Sequence, residues 1–300
     1  ASKGSSTFSA ITPMGRQHEN DREATAADLK WLADPAEEPE PFGDGGTKMA
    51  WNTFNVVSIY PNGNPVMSDV NQRWVGDCCA CAVIASMAYL YPRFVKHIIK
   101  DNMDKTYTVT MYDPKGKQIS VGVGGDYFIG NSGDLGALGG RNKEVTWATI
   151  LEKAMIKWNQ IYQGSSNVGG IGTEYVSAIF TGDGESVGFG ANALIAEDLQ
   201  RAVEVSLKQG RLVIGGFTRS GEQVDQNWQT TSGHAFTFIL PDDNTHLFKM
   251  RNPWGGTTDG VMKVKDDGRI PPMIDLRICA PGAAKNYGVG PDLGGYIPNF

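Results

Sequence analysis

Three of the four cysteines in this 300-residue chain, Cys78, Cys79 and Cys81, fall within four positions, and the fourth, Cys279, stands alone. So few, so clustered, they do not make a disulfide framework. A metal site or a reactive thiol remains. A helical Cys-Cys-x-Cys cannot aim three thiolates at one tetrahedral ion, so the metal reading is the weaker. Thiol catalysis needs a thiolate, a base, a group that orients the base, and donors for an oxyanion. Cys78 opens an apolar run, CCACAVIASMAYLY, that reads as a buried helix from about 78 to 90. At that position the helix N-terminus favours the thiolate. Cys79 and Cys81 lie further into the first turn, where packing is their expected role.

Four histidines compete for the base. His18 lies in a polar stretch, His97 on an amphipathic helix, and His246 opens a strand after a turn. His234 begins an apolar strand just after Ser-Gly, which puts its ring at an entrance. Asn252 ends the next strand, ahead of Pro253-Trp254-Gly255-Gly256. Neighbouring strands bring such positions side by side. There an Asn amide fixes the imidazole tautomer, and Trp254 shields the hydrogen bond.

The elements that must position these groups follow from patterning. A short helix is expected at 21–33, and the acidic, Pro- and Gly-rich 35–46 reads as a linker, so 1–46 is expected to be a polar extension. A strand is expected at 54–60. Pro92 ends the nucleophile helix or starts another over 92–101. Alternation around Asp-Pro-Lys-Gly predicts a hairpin at 106–122. Apolar residues at helical spacing predict a helix at 143–159 capped by Asn142, and another at 195–209 stopped by Gly210. Strands are expected at 211–218, 234–241, 246–253 and 260–265. The Pro/Gly-rich 271–300 is expected to wrap or leave the surface. Helices first and strands later give an α+β protein.

Composition narrows the classes. Apolar residues make up 40% and charged residues 20% of the chain, enough for a core. Net charge is −6, with no long basic stripe, so nucleic acid is not the expected partner. No run approaches a membrane span, so no membrane partner is expected. No export signal is visible, and localisation stays open between cytoplasm and exterior.

GDCCACAVIASMA resembles the active-site helix of calpain-family cysteine proteases, SGHAFTF their histidine strand and RNPWGG their asparagine segment. WATILEKAMIKWNQIYQG and GGIGTEYVSAIFTG are similar to the segments between. The likeness covers roughly 50–265, with Cys79 standing where the family usually has Trp. It implies a papain-like two-lobed core, with a helical lobe (47–165) carrying Cys78 and Gln72 and an antiparallel β lobe (166–270) carrying His234 and Asn252. Gln72, six residues before Cys78, stands at the family's oxyanion position. The implied function is a monomeric endopeptidase that cleaves a protein or peptide substrate through an acyl-enzyme. Two alternatives use the same elements: a transglutaminase or glutamine deamidase, and an inactive peptide-binding module, against which the intact set of four speaks.

The resemblance further implies one calcium ion per lobe. In the helical lobe it points to Asp69 and to an acid after the Leu-Glu-Lys helix, where Gln163 stands. In the β lobe it points to an acid four residues after Trp254, where Thr258 stands beside Asp259. Lost charge predicts weak, millimolar-range binding at most, with Asp259, Asp266 or Asp267 available to compensate. No cofactor is expected to be required, and the lobes are expected to be aligned mainly by packing. The segments DNMDKTYT and DPKGKQ do not fit a calcium loop, which needs Gly at its sixth position.

Overall fold

The structure, a computed structural model, describes residues 12–13, 21–44, 47–190, 196–217, 219–240, 246–256, 258–265, 273–290 and 293. His18, Asp266 and Asp267 lie outside the described residues. The helices are α1 (Ala26–Ala33), α2 (Cys78–Leu90), α3 (Pro92–Ile98), α4 (Trp147–Tyr162), α5 (Thr173–Thr181) and α6 (Ala196–Lys208). The strands are β1 (Thr12–Pro13), β2 (Gly43–Asp44), β3 (Thr47–Lys48), β4 (Ala50–Thr53), β5 (Ile99–Asp101), β6 (Tyr107–Tyr112), β7 (Gln118–Val123), β8 (Asp126–Ile129), β9 (Glu185–Gly190), β10 (Leu212–Phe217), β11 (Phe236–Ile239), β12 (His246–Arg251), β13 (Val261–Lys265) and β14 (Met273–Cys279). Helices and antiparallel sheets make this an α+β protein.

Helix α2 is the axis of the molecule. Every residue from Ala80 to Leu90 is buried, as expected of a helix that is apolar all round. Pro92 supplies the fixed φ of a first helical residue, and α3 departs at 114° to α2. Among the described residues no single helix is long and apolar enough to cross a membrane. Helix α3 stops at Ile98 rather than 101, because Ile99–Asp101 pair as β5 with Val109–Tyr107 of β6. The hairpin β6–β7 forms as expected, Tyr112 facing Gln118 across the turn.

The seven-stranded sheet has the order β1-β9-β14-β10-β11-β12-β13, every pair antiparallel. Helix α2 packs on its β10 and β11 strands. Three bonds tie helix to sheet: Thr237 Oγ1 donates to the Ala82 carbonyl at 2.7 Å, Leu240 N–H to Tyr89 Oη at 3.0 Å, and Tyr91 O–H to the Gly210 carbonyl.

Four expectations change. Residues 54–60 are not a strand; the ladder lies just before them, β4 pairing β8, and Val57 is exposed. Asn142 does not cap α4. Thr146 does, its Oγ1 accepting from Ala148 N–H at 3.2 Å while Thr149 Oγ1 accepts from Thr146 N–H at 3.0 Å. Residues 273–290 are not a surface tail. β14 lies between β9 and β10, because MIDLRIC alternates well enough to fill an interior strand despite its Pro- and Gly-rich flanks. Residues 35–42 are irregular, yet they pack on α4. Glu38 pairs with the buried Lys153 at 2.7 Å, and the Asp34 carbonyl accepts from the buried Lys157 Nζ at 2.9 Å. Of these two lysines sealed in the core, Lys153 is neutralised by Glu38, and Lys157 is held by the backbone carbonyls of Asp34 and Gly122.

Candidate active site

Cys78 is the first residue of α2, behind the N-cap Asp77. Asp77 makes no side-chain cap; its carboxyl turns inward and accepts from Cys81 Sγ at 3.2 Å. The first N–H groups of a helix have no intrahelical acceptor, and that of Cys78 is among them. Cys78 is half-buried and carries a free thiol.

His234, almost fully buried, precedes β11, and Asn252 follows β12. The β11–β12 register, Thr237 opposite Arg251, brings the two ends together. His234 Nε2 and Asn252 Oδ1 lie 2.8 Å apart. That oxygen also accepts Trp254 N–H at 3.1 Å, so the amide is fixed from both sides. Trp254 lies over the imidazole with ring centroids 4.4 Å apart, and Phe236 meets the ring edge-on at 5.0 Å.

The Cys78 thiol is pulled down to about 4. The Cys79 thiol that hydrogen-bonds it is the largest cause; His234 and the Ala235 N–H add to it, against the opposing effect of burial. Cys79 is pushed up in turn by its bond to Cys78. Cys79 therefore does more than pack, which corrects the role expected from its place in the first turn. Gln72 is tied by its backbone to the segment that carries Asn252 and Trp254. Its backbone N–H donates to the Pro253 carbonyl at 2.8 Å, and its Nε2 donates to the Val75 carbonyl at 2.9 Å. An amide nitrogen has two hydrogens, so one stays free. A cavity of about 300 Å³ adjoins these groups, lined by Cys79, Glu174, Gly215, His234 and Arg277 among others.

A family model described as calpain family cysteine protease matches residues 51–260. The chain belongs to the calpain family of cysteine proteases. A search of the curated proteins gave no significant match. In this calpain-family chain the other expected bystanders stay apart from the site. His97 stacks on Tyr287 at 4.5 Å, and Cys279 is buried in β14. His246 is in β12, opposite Lys265.

The calcium donors do not fit an ion. The Asp69 carboxylate already accepts from Trp147 Nε1 at 2.7 Å, Asn62 Nδ2 at 2.7 Å and Val66 N–H at 3.2 Å. Gln163 caps the far end of α4, and at 1.5 Å per residue it lies roughly 24 Å from the Trp147 end that Asp69 touches. The two cannot share a metal, which corrects the expected pairing. Thr258 Oγ1 accepts from Trp228 Nε1 at 2.8 Å, and Asp259 pairs with Arg141 at 3.1 Å.

One group escaped the sequence reading. Glu152 of α4 is fully buried beside Asp77. Its Oε1 accepts Leu138 N–H at 2.9 Å. Burial raises both carboxyls, Asp77 to about 6 and Glu152 well above its ordinary value, and each feels the other. Two adjacent buried carboxylates cannot both ionise, so the pair holds a proton. The signal was Glu152 on the apolar face of a helix, a residue that is almost never fully buried unless paired.

Proposed function

We propose that this chain is a calpain-like cysteine endopeptidase with a papain-like two-lobed core, the helical lobe over 47–165 and the β lobe over 166–270. The observation that carries the reading is the buried 2.8 Å contact of His234 Nε2 with Asn252 Oδ1, in a ring that also acts on the Cys78 thiol. Asn252 holds the tautomer that carries its proton on Nε2, and Trp254 keeps water from the bond.

Cys78 thiolate attacks the scissile carbonyl of an extended peptide. The carbonyl electron pair moves to oxygen, where the Cys78 backbone N–H and the free Gln72 N–H receive it. One such donor is commonly worth about 100- to 1000-fold in rate. His234, as imidazolium, gives its proton to the departing amine. The thioester then forms on Cys78 and the amine leaves. Neutral His234 takes a proton from water, which attacks the thioester. The carboxylic product departs, and thiolate and imidazolium return. The cavity beside Cys79 receives a substrate side chain. No step is routed through calcium, whose expected ligands are otherwise engaged.

The test is labelling by an epoxide-type thiol-protease inhibitor, read by peptide mass mapping, alongside casein cleavage and ammonia release. Label on Cys78 with casein cleavage is the expected result. Ammonia release without cleavage gives the transglutaminase or deamidase chemistry instead. Absence of both, with an unlabelled Cys78, leaves a peptide-binding module.

A further inference from the structure

The two sides of the cleft meet at a cluster of charges that the peptidase reading does not use. Arg251, the last residue of β12, is fully buried and immediately precedes Asn252. Its Nη2 donates to the Val70 carbonyl at 2.7 Å, two residues ahead of Gln72. The same nitrogen lies 3.8 Å from Asp259 Oδ1. From the loop that leads into α4, Arg141 Nη2 reaches that oxygen at 3.1 Å. Asp259 thus sits between an arginine of the sheet and an arginine of the helical side.

Asp259 also closes the loop that carries Asn252 and Trp254. Asn252 N–H donates to the Gly260 carbonyl at 2.8 Å, and Asp259 N–H to the Gly256 carbonyl at 2.9 Å. The Asp259 backbone has φ 56, the left-handed region that asparagine and aspartate tolerate best among side chains. A charge held there sets the loop, and the loop sets Asn252. Arg251 and Arg141 then fix that loop against the segment bearing Gln72. Among the described residues Arg251 Nε and Nη1 are buried with no acceptor, so the carboxylate is the counter-charge that keeps this guanidinium in place.

We propose that Asp259, clamped between Arg141 and Arg251, is a positioning residue that aligns the two sides of the site where a metal would otherwise do so. The proposal rests on the cysteine-peptidase reading, because its effect is read at Cys78. Asp259 touches no reacting atom and acts through Asn252 and Gln72.

The experiment compares wild type, Asp259→Asn, Arg141→Gln and Arg141→Lys in the full chain, in the presence of a calcium chelator. The measurements are kcat and KM on a fluorogenic peptide, the rate of Cys78 alkylation by iodoacetamide, and thermal melting. Asn keeps the left-handed backbone accessible, so Asp259→Asn removes the charge and little else. A misplacement of about 1 Å at a reacting group costs about 100-fold. The expected result is a 10- to 100-fold loss in kcat for Asp259→Asn, with KM within about threefold. Arg141 is 62% exposed, so its replacement leaves the fold intact. Arg141→Gln loses less, Arg141→Lys recovers it, and the wild-type rate falls with added salt as the pair is screened.

The proposal is overturned if Asp259→Asn matches wild type in kcat. It is also overturned if that variant unfolds while Arg141→Gln and added salt leave kcat unchanged, or if wild type is inert in chelator and is restored by micromolar calcium. A wild-type Cys78 that alkylates no faster than a free thiol, with or without calcium, overturns the peptidase reading itself, and the clamp with it. Wild-type activity beside an indifferent Asp259→Asn overturns the clamp alone.

Discussion

Replacing Asn252 by alanine removes an acceptor that takes two bonds, from His234 Nε2 at 2.8 Å and from Trp254 N–H at 3.1 Å. His234 and Asn252 are both buried, so water does not simply substitute. Leaving one buried donor unpaired costs about 1–3 kcal/mol. The ring escapes that cost by turning, which moves Nδ1 off the departing amine, or by changing tautomer, which protonates the nitrogen that must take a proton from water. Converted at 1.4 kcal/mol per tenfold, the loss in kcat is about 5- to 150-fold. KM should stay within about threefold, because Asn252 is sealed behind His234 and meets no substrate. The assay is steady-state hydrolysis of a fluorogenic peptide by wild type and Asn252→Ala, with melting curves to confirm the fold. A rise in KM at unchanged kcat would refute the reasoning, since it would put Asn252 in substrate binding.

Cys78→Ala should abolish epoxide labelling and turnover, whereas Cys81→Ala should keep both; peptide mapping and casein digestion decide between them. Cys79→Ala removes the largest single influence that lowers the Cys78 thiol, so the acid limb of the iodoacetamide alkylation profile should move to higher pH; an unmoved limb would show that Cys79 does not support the thiolate. The buried carboxyl pair sets a pH dependence of stability. A folded carboxyl raised above its unfolded value contributes stability present below the unfolded value and lost as pH rises through the folded one. For Asp77, which titrates near 6 in place of 3.8, that loss is about 3 kcal/mol by pH 7. Glu152→Gln keeps the shape and supplies a neutral donor to Asp77, so its melting temperature should gain on wild type between pH 4 and 7; equal curves would mean that the two carboxyls do not share a proton. Turnover should survive a calcium chelator, and a micromolar calcium requirement would contradict the donor assignments of Asp69, Thr258 and Asp259.

Helix α2 was legible because the small apolar residues after Gly-Asp read as a helix buried on all sides, with Cys78 at its start. His234 and Asn252 were legible because adjacent antiparallel strands bring their two ends together. What stayed hidden depends on partners distant in sequence. A strand pattern at 54–60 is only a local preference, and the sheet partner β8 takes Ala50–Thr53 instead. β14 was hidden by flanking prolines and glycines, and its place was decided by β9 and β10. Charges were the hardest to read. Glu152 and Lys157 look like the solvated side of an amphipathic helix, and each is buried because another segment brings it a partner. The Asp69–Gln163 pairing failed for a plain reason of length, since a 16-residue helix separates the two.

β14 lies inside the sheet although it is the last of the described strands along the chain. Ser186 pairs with Cys279, and Leu212 pairs with the same residue from the other side. During synthesis β9 and β10 therefore emerge with facing edges that must not close on each other. Their shared partner arrives only after β11, β12 and β13 have been made. Long-range pairing of this kind slows folding and leaves strand edges open meanwhile. The sheet that carries His234 and Asn252 cannot be completed until translation has passed Cys279. A nascent chain thus carries Cys78 well before the sheet behind His234 and Asn252 can close, and a fragment cut at residue 260, the end of the family match, would lack the strand that joins β9 to β10.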